Sequence, residues 1–218
     1  QLIQQKIFDE KKIFVVHEPI IDLEKNKNLN NNLNLIDYSK KYDKYVVTIG
    51  RLTKQKNHKF LINCFDKIIK TKPELKLLIC GEGEERENLE NQIEKLNRKN
   101  RIILLGYQKN IEPILKNSLF FILTSEWEDP GFVLIESMFF NTIVFSSNCK
   151  NGPFELIDDT HNGFLYNKND SDDFVKKFFK IYVLIINKNE LIDRIKFNAK
   201  QKTKLFTLKY HYNLLEKI

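Results

Sequence analysis

Short apolar runs alternate with helical periods along most of this chain, and a glycine falls at or soon after the end of several of those runs. Tyr45-Val-Val-Thr-Ile-Gly50 reads as a strand. So do Leu75-Lys-Leu-Leu-Ile-Cys80, closed by Gly81-Glu-Gly83, Arg101-Ile-Ile-Leu-Leu105, closed by Gly106, and Leu119-Phe-Phe-Ile-Leu123. Between them, Asn57 to Lys70 carries Phe60, Leu61, Cys64, Phe65, Ile68 and Ile69 on one helical face, and Glu84 to Asn97 is a polar helix anchored by Leu89, Ile93 and Leu96. Ile111, Ile114 and Leu115 mark a short helix. Thr142 to Phe145 is a strand, Gly152-Pro153 opens a short helix, and Gly163 to Tyr166 is a last strand. Helices follow over Ser171–Ile186, Glu190–Lys204 and Thr207–Ile218. Strand–helix alternation of this kind predicts an α/β fold: one Rossmann-like, doubly wound parallel sheet covered on both faces. Continuous apolar strands fit a sheet with no wet face.

Ligands in such sheets bind beyond the carboxyl ends of the strands. Gly50, Gly81, Gly83, Gly106 and Gly131 are expected on that one rim, where glycine permits a tight turn or close approach to a ligand. The stretch after Leu123 is the most informative part of the rim. Thr124-Ser-Glu-Trp-Glu-Asp-Pro-Gly131 leads into a helical pattern from Phe132 to Phe140, so Glu128 and Glu136 flank a helix start. A helix start offers free N–H groups and partial positive charge to a phosphate, and carboxylates accept hydrogen bonds from sugar hydroxyls. Glu pairs at the same spacing occur elsewhere (Glu10/Glu18, Glu74/Glu82); the strand–glycine–helix setting distinguishes this one.

Composition narrows the classes. No apolar run approaches the ~20 residues of a membrane span, and Gln1-Leu-Ile-Gln-Gln lacks the basic start and apolar core of a signal peptide. The 3 cysteines form no CxxC pair, which argues against structural zinc and fits reduced thiols in a cytosolic setting. A net charge of +7 suits anionic partners, and no aromatic–basic pattern of a nucleic-acid reader accompanies it. A dinucleotide enzyme is disfavoured, since no GxGxxG follows the first strand.

Taken in order, Thr48-Ile-Gly-Arg-Leu-Thr-Lys-Gln-Lys56, Leu78-Ile-Cys-Gly-Glu-Gly83, Leu105-Gly-Tyr107, Ser125 to Met138 and Asn151-Gly-Pro-Phe-Glu155 resemble the donor-binding half of the retaining glycosyltransferases of family 4, which have the two-domain GT-B fold. The resemblance implies that Gly50, Arg51 and Lys56 meet the donor diphosphate, with the two cations neutralising the leaving group. It implies that Glu128 holds the transferred sugar and Glu136 the ribose. Backbone amides near Gly131, Phe132, Val133 and Leu134 would lie between them, and Tyr107 and Gln108 near the nucleobase. Glu128, Arg51 and Lys56 are then the catalytic set, with no metal and no cofactor.

Gly152-Pro-Phe-Glu155 looks like members that build lipid-linked oligosaccharide, capsule or lipopolysaccharide from UDP-sugars. The implied division is an interdomain passage over 1–40, with a first strand read over Lys11–His17 and an Asn-rich loop over Asn26–Asn34, a nucleotide-sugar domain over 41–204, and a C-terminal helix over 205–218 that would brace an N-terminal acceptor domain. Nothing in this sequence matches that acceptor domain, which is expected in the same gene or on a partner chain. His17, His58, His161 and His211 are expected at the surface or in loops. The positive charge fits peripheral contact at the inner face of a membrane. The competing reading is a non-catalytic nucleotide-sugar-binding subunit or a degenerate remnant.

Overall fold

Six parallel strands lie in the order β3-β2-β1-β4-β5-β6. The computed structural model describes residues 16–22 and 38–217. The strands are β1 (Tyr45–Ile49), β2 (Lys76–Cys80), β3 (Ile102–Gly106), β4 (Phe121–Leu123), β5 (Val144–Ser147) and β6 (Phe164–Tyr166). Each consecutive pair is joined by a helix: α2 (His58–Thr71), α3 (Arg86–Lys95), α4 (Glu112–Lys116), α5 (Phe132–Phe139) and α6 (Gly152–Leu156), with α1 (Tyr38–Tyr42) ahead of β1. The helices α7 (Ser171–Ile186) and α8 (Glu190–Thr203) follow β6.

The order reverses at β1, which pairs with β2 on one side and with β4 on the other. The segments leaving β1 and β4 therefore open side by side at a topological switch point, where doubly wound sheets keep their ligands.

Burial follows position in the sheet. Every residue of β4 and β5 is buried, as are four of five in β1 and β2, whereas edge strand β3 buries only its first. The inner strands are mostly apolar because neither face meets water. Under one face lies an aromatic cluster. Phe120 and Phe178 rings stand 5.0 Å apart, Phe145 and Phe174 5.1 Å, and Phe145 and Tyr166 5.0 Å. Phe174 and Phe178 come from α7, one turn apart, so one helix face supplies both. Asp170 caps α7 by accepting from Asp172 N and Asp173 N, and the acids of that first turn complement the helix dipole. The 3 cysteines are free and buried, and burial pushes the Cys64 and Cys80 thiols up to about 12.

The chain divides into two units, one of residues 34–201, which holds the sheet, and one of 1–33 with 202–218. Within the second, Ile21 forms a parallel bridge with Thr207, and Ile20 N and Ile21 N donate to Phe206 O. A 3-10 turn (Lys204–Phe206) leads to α9 (Leu208–Leu215), where the Thr207 hydroxyl caps Tyr210 N. The loop expected over 26–34 and most of the strand expected over 11–17 lie outside the described residues; Val16 and His17 are not in a strand.

Most expected elements occur within two residues of the spans read from sequence. Two strands begin two residues later than expected: β4 at Phe121 rather than Leu119, and β5 at Val144 rather than Thr142, running on through Ser146 and Ser147. Phe178 is fully buried between α2 and the sheet. Phe178→Ala should cost about 3–5 kcal/mol in urea unfolding, because the ring's contacts are lost and the neighbouring rings cannot all close the gap.

Candidate functional site

The loop after β1 is fixed at its base and free at one tip. Gly50 N donates to Cys80 O at 3.0 Å, and Leu52 N to Glu82 O at 2.8 Å. Leu52 is wholly buried, so it plugs the loop into the core. A Cβ on Gly81 would sit 1.9 Å from Gly50 O, and one on Gly83 2.4 Å from Leu52 O. Those two glycines let the β2–α3 loop lie directly against the β1 loop. Close backbone packing accounts for them, in place of the ligand approach expected from sequence. Arg51, at the tip, is exposed, and its guanidinium makes no hydrogen bond or ion pair among the described residues. Lys54–Lys56 form a 3-10 turn, and Asn57 takes a left-handed conformation (φ 51°, ψ 41°) that launches α2.

The loop after β4 runs alongside and is stitched to it. Glu126 N donates to Gln55 O at 2.8 Å, Gln55 Nε2 to Trp127 O at 2.8 Å, and Thr124 Oγ1 to Lys56 O at 2.8 Å. Asn57 Nδ2 donates to Glu126 Oε1 at 2.6 Å. The other Glu126 oxygen receives Asn169 Nδ2 at 3.2 Å and faces Lys168 Nζ at 3.3 Å, which ties in the β6–α7 loop.

Across the seam, Lys56 Nζ donates to Glu128 Oε1 at 2.6 Å, joining residues 72 positions apart. Glu128 is only 3% exposed, and the Ser125 hydroxyl donates to the same oxygen. Ser125 is held in turn: Ser147 Oγ, at the end of β5, donates to Ser125 O at 2.8 Å.

Gly131 turns the chain into α5 at φ 85°, ψ 52°, a conformation that side chains disfavour by about 1–2 kcal/mol. An added Cβ there would also meet Glu128 Cγ at 3.3 Å. Among the described residues the N–H groups of Phe132 and Val133 have no partner. Leu134 N, expected to face a ligand, instead donates to Gly131 O at 3.0 Å, which tightens the first turn. Glu136, in the second turn, is half-buried with no donor on its carboxylate among the described residues, and burial pushes its pKa up.

The sheet order thus sets the β1 loop, which carries Gly50, Arg51 and Lys56, alongside the β4 loop, which carries Glu128 and Gly131 and leads into Phe132, Val133, Leu134 and Glu136, and Lys56 and Glu128 are in contact across the seam. Tyr107 stands at the end of β3, 75% exposed. Gln108 beside it has its side chain engaged: Nε2 donates to Leu105 O at 2.9 Å, and Oε1 accepts from Tyr38 OH at 3.3 Å. His58 corrects an expectation. It is buried at the start of α2, not exposed, and its ring nitrogens have no partner among the described residues. Burial pushes its pKa down to about 4, reinforced by the charge of Lys56. Sequence reasoning also passed over Ser125, Asn57, Gln55 and Ser147. Of these only Ser125, a hydroxyl three residues before Glu128, gave a local signal. Among the described residues no three His, Cys, Asp or Glu side chains gather as ligands of a metal would, and no helix is long and apolar enough to cross a membrane.

Residues 36–202 match the family model for glycosyl transferases group 1, and the chain belongs to that family. It is 42% identical over 111 residues to an uncharacterised glycosyltransferase of Methanocaldococcus jannaschii, covering 51% of this chain and 27% of the relative. It is 31% identical over 164 residues to the Campylobacter jejuni N-acetylgalactosamine-N,N'-diacetylbacillosaminyl-diphospho-undecaprenol 4-alpha-N-acetylgalactosaminyltransferase, covering 75% of this chain and 43% of the relative. The chain spans less than half the length of these curated relatives. Its fold is that of GT-B glycosyltransferases. The crystal structure of a Rickettsia africae glycosyltransferase superposes with a TM-score of 0.76 at 20% identity, covering 99% of this chain and 59% of that one. Anabaena HepE in complex with UDP does so with 0.74 at 20% identity, covering 98% and 59%.

Two stability measurements probe this geometry. Lys56→Met leaves the buried Glu128 carboxylate with Ser125 as its one donor among the described residues. It should cost about 3–5 kcal/mol in urea unfolding, most of it recovered in the double variant with Glu128→Leu. Glu136 has a raised pKa in the folded chain, so its ionisation opposes folding above the ordinary glutamate value and has no effect below it. Glu136→Gln should therefore melt higher than the parent at pH 7, and the gap should close as pH falls towards 4.

Proposed function

We propose that this chain is the donor-binding half of a retaining glycosyltransferase that moves a hexose or N-acetylhexosamine from a UDP-sugar to a lipid-linked or polysaccharide acceptor. The observation that carries the reading is the contact between Lys56 and Glu128 at the sheet's switch point, with an exposed Arg51 on the same loop as Lys56 and the amides of Phe132 and Val133 at the mouth of α5, all without a partner among the described residues.

The chemistry is as follows. Arg51 forks onto diphosphate oxygens, and its exposed guanidinium has all its N–H donors to give. Lys56 spends one N–H on Glu128 and keeps two for phosphate. Together they neutralise the charge that grows on the departing nucleoside diphosphate, work that a divalent cation does elsewhere, so this reading calls for no metal. The amides of Phe132 and Val133 meet sugar or phosphate. Glu136 accepts from ribose hydroxyls, which would supply the donors its carboxylate lacks. Glu128 accepts from the transferred sugar. Gly50 gives the diphosphate room, and the backbone of Tyr107 and Gln108 borders the base. These three catalytic side chains, Arg51, Lys56 and Glu128, act on the leaving side and the sugar.

Several relatives support a lipid-linked or surface-polymer acceptor. The Escherichia coli one is a UDP-Gal:alpha-D-GlcNAc-diphosphoundecaprenol alpha-1,3-galactosyltransferase, 32% identical over 145 residues. Structural neighbours crystallised with UDP support the nucleotide. The greater length of the relatives supports an acceptor domain on a further part of the protein or on a partner chain. A net charge of +7 supports work at the anionic inner face of a membrane.

Calorimetric titration of this chain with UDP, GDP and their hexose and N-acetylhexosamine conjugates tests the reading. One nucleotide series should bind, and Arg51→Ala combined with Lys56→Ala should weaken it about a hundredfold, as expected for two charge-assisted hydrogen bonds. No nucleotide binding, or binding indifferent to that double change, would falsify it. Binding with no transfer once an acceptor domain is supplied would favour a non-catalytic subunit.

A further inference from the structure

Glu128 is gripped on one side only. Oε1 takes both of its hydrogen bonds, from Lys56 Nζ at 2.6 Å and from the Ser125 hydroxyl. Among the described residues Oε2 takes none, although the residue is 3% exposed. Oε2 is therefore the oxygen left open to solvent, and a ligand hydroxyl can reach it without displacing either donor on Oε1.

The two donors on Oε1 are not equivalent. Lys56 ends the basic 3-10 turn, carries a flexible stem, and has a rival claim on it whenever a diphosphate is bound. Ser125 has neither freedom nor rival. It is wholly buried, its carbonyl is pinned by Ser147 Oγ at 2.8 Å, and its hydroxyl sits three residues from the carboxylate it serves.

We infer that Ser125 is a positioning residue: it fixes Oε1 of Glu128 while Lys56 is shared with the diphosphate, and so keeps Oε2 aimed at the transferred sugar. The inference rests on the donor-site reading above. Ser125 touches neither nucleotide nor sugar, so its effect is confined to ligands that carry the sugar. That separates it from a residue that merely holds the two loops together, whose loss would weaken UDP and UDP-sugar alike.

The experiment compares UDP with UDP-glucose, UDP-galactose, UDP-N-acetylglucosamine and UDP-N-acetylgalactosamine by calorimetry, with the GDP series in parallel, on the parent chain, Ser125→Ala and Ser125→Cys. The parent should bind one conjugate more tightly than its free nucleoside diphosphate. Ser125→Ala should bind the free diphosphate within about twofold of the parent and lose about tenfold on the conjugate, the loss expected for one hydrogen bond to a charged group. Ser125→Cys, close in volume but a weak donor, should fall between; it decides the matter by the same comparison if alanine lowers the melting temperature too far to assay. Equal losses on both ligands, or no loss on either, overturn the proposal and leave the donor site standing. A parent chain that binds diphosphate and conjugate equally overturns it too. A parent chain that binds no nucleotide overturns the donor site itself, and this inference with it.

Discussion

Lys56 and Glu128 meet because β1 and β4 are neighbours in the sheet although β2 and β3 lie between them in the chain. That crossover is the constraint on which the rim depends. It sets a basic loop and an acidic loop side by side, and the backbone hydrogen bonds between Gln55 and Glu126 and the hydroxyl bond from Thr124 to Lys56 hold them in register. A buried ion pair is a poor source of stability, since removing both charges from water costs about as much as their attraction returns. The chain nevertheless keeps one at the end of its two central strands, with a serine assigned to the carboxylate. Such a pair is better explained by what it prepares the site to receive than by what it adds to the fold.

The broad fold was legible in the sequence because inner parallel strands have no wet face. Tyr45–Ile49, Lys76–Cys80 and Phe121–Leu123 announce themselves as apolar runs whatever their neighbours. β5 was read short at its carboxyl end for the converse reason. Ser146 and Ser147 look like a strand's end, yet both are wholly buried, and their hydroxyls are satisfied by the carbonyls of Ser147 and Ser125. A strand may carry hydroxyls into the core when a carbonyl awaits them, and no local pattern says where one does.

The site was legible in its parts and not in its wiring. Arg51, Lys56, Glu128 and Glu136 stand out as charged residues at strand ends and a helix start. That Lys56 already grips Glu128 follows only from strand order. Gly81 and Gly83 suggested room for a ligand, and the room is taken by the carbonyls of Gly50 and Leu52. His58 sits on the first turn of α2, where exposure is the usual expectation; the loop folded over it removes it from water. For the glycines and for Lys56 the deciding neighbour lies far away in the chain, and for His58 it is the shape of the preceding loop, which neither periodicity nor spacing reports.

Glu126 has a consequence of its own. Its carboxylate joins Asn57, Lys168 and Asn169, so three loops leaving three different strands share one knot. The turn at 167–170 looks like ordinary exposed connecting chain, the sort of place where an insertion or a fused tag is thought harmless. Here it is one of the guy ropes of the rim. Lengthening it would slacken the left-handed Asn57 and the basic turn behind it, so an engineer seeking a permissive graft point should look to the far end of the sheet.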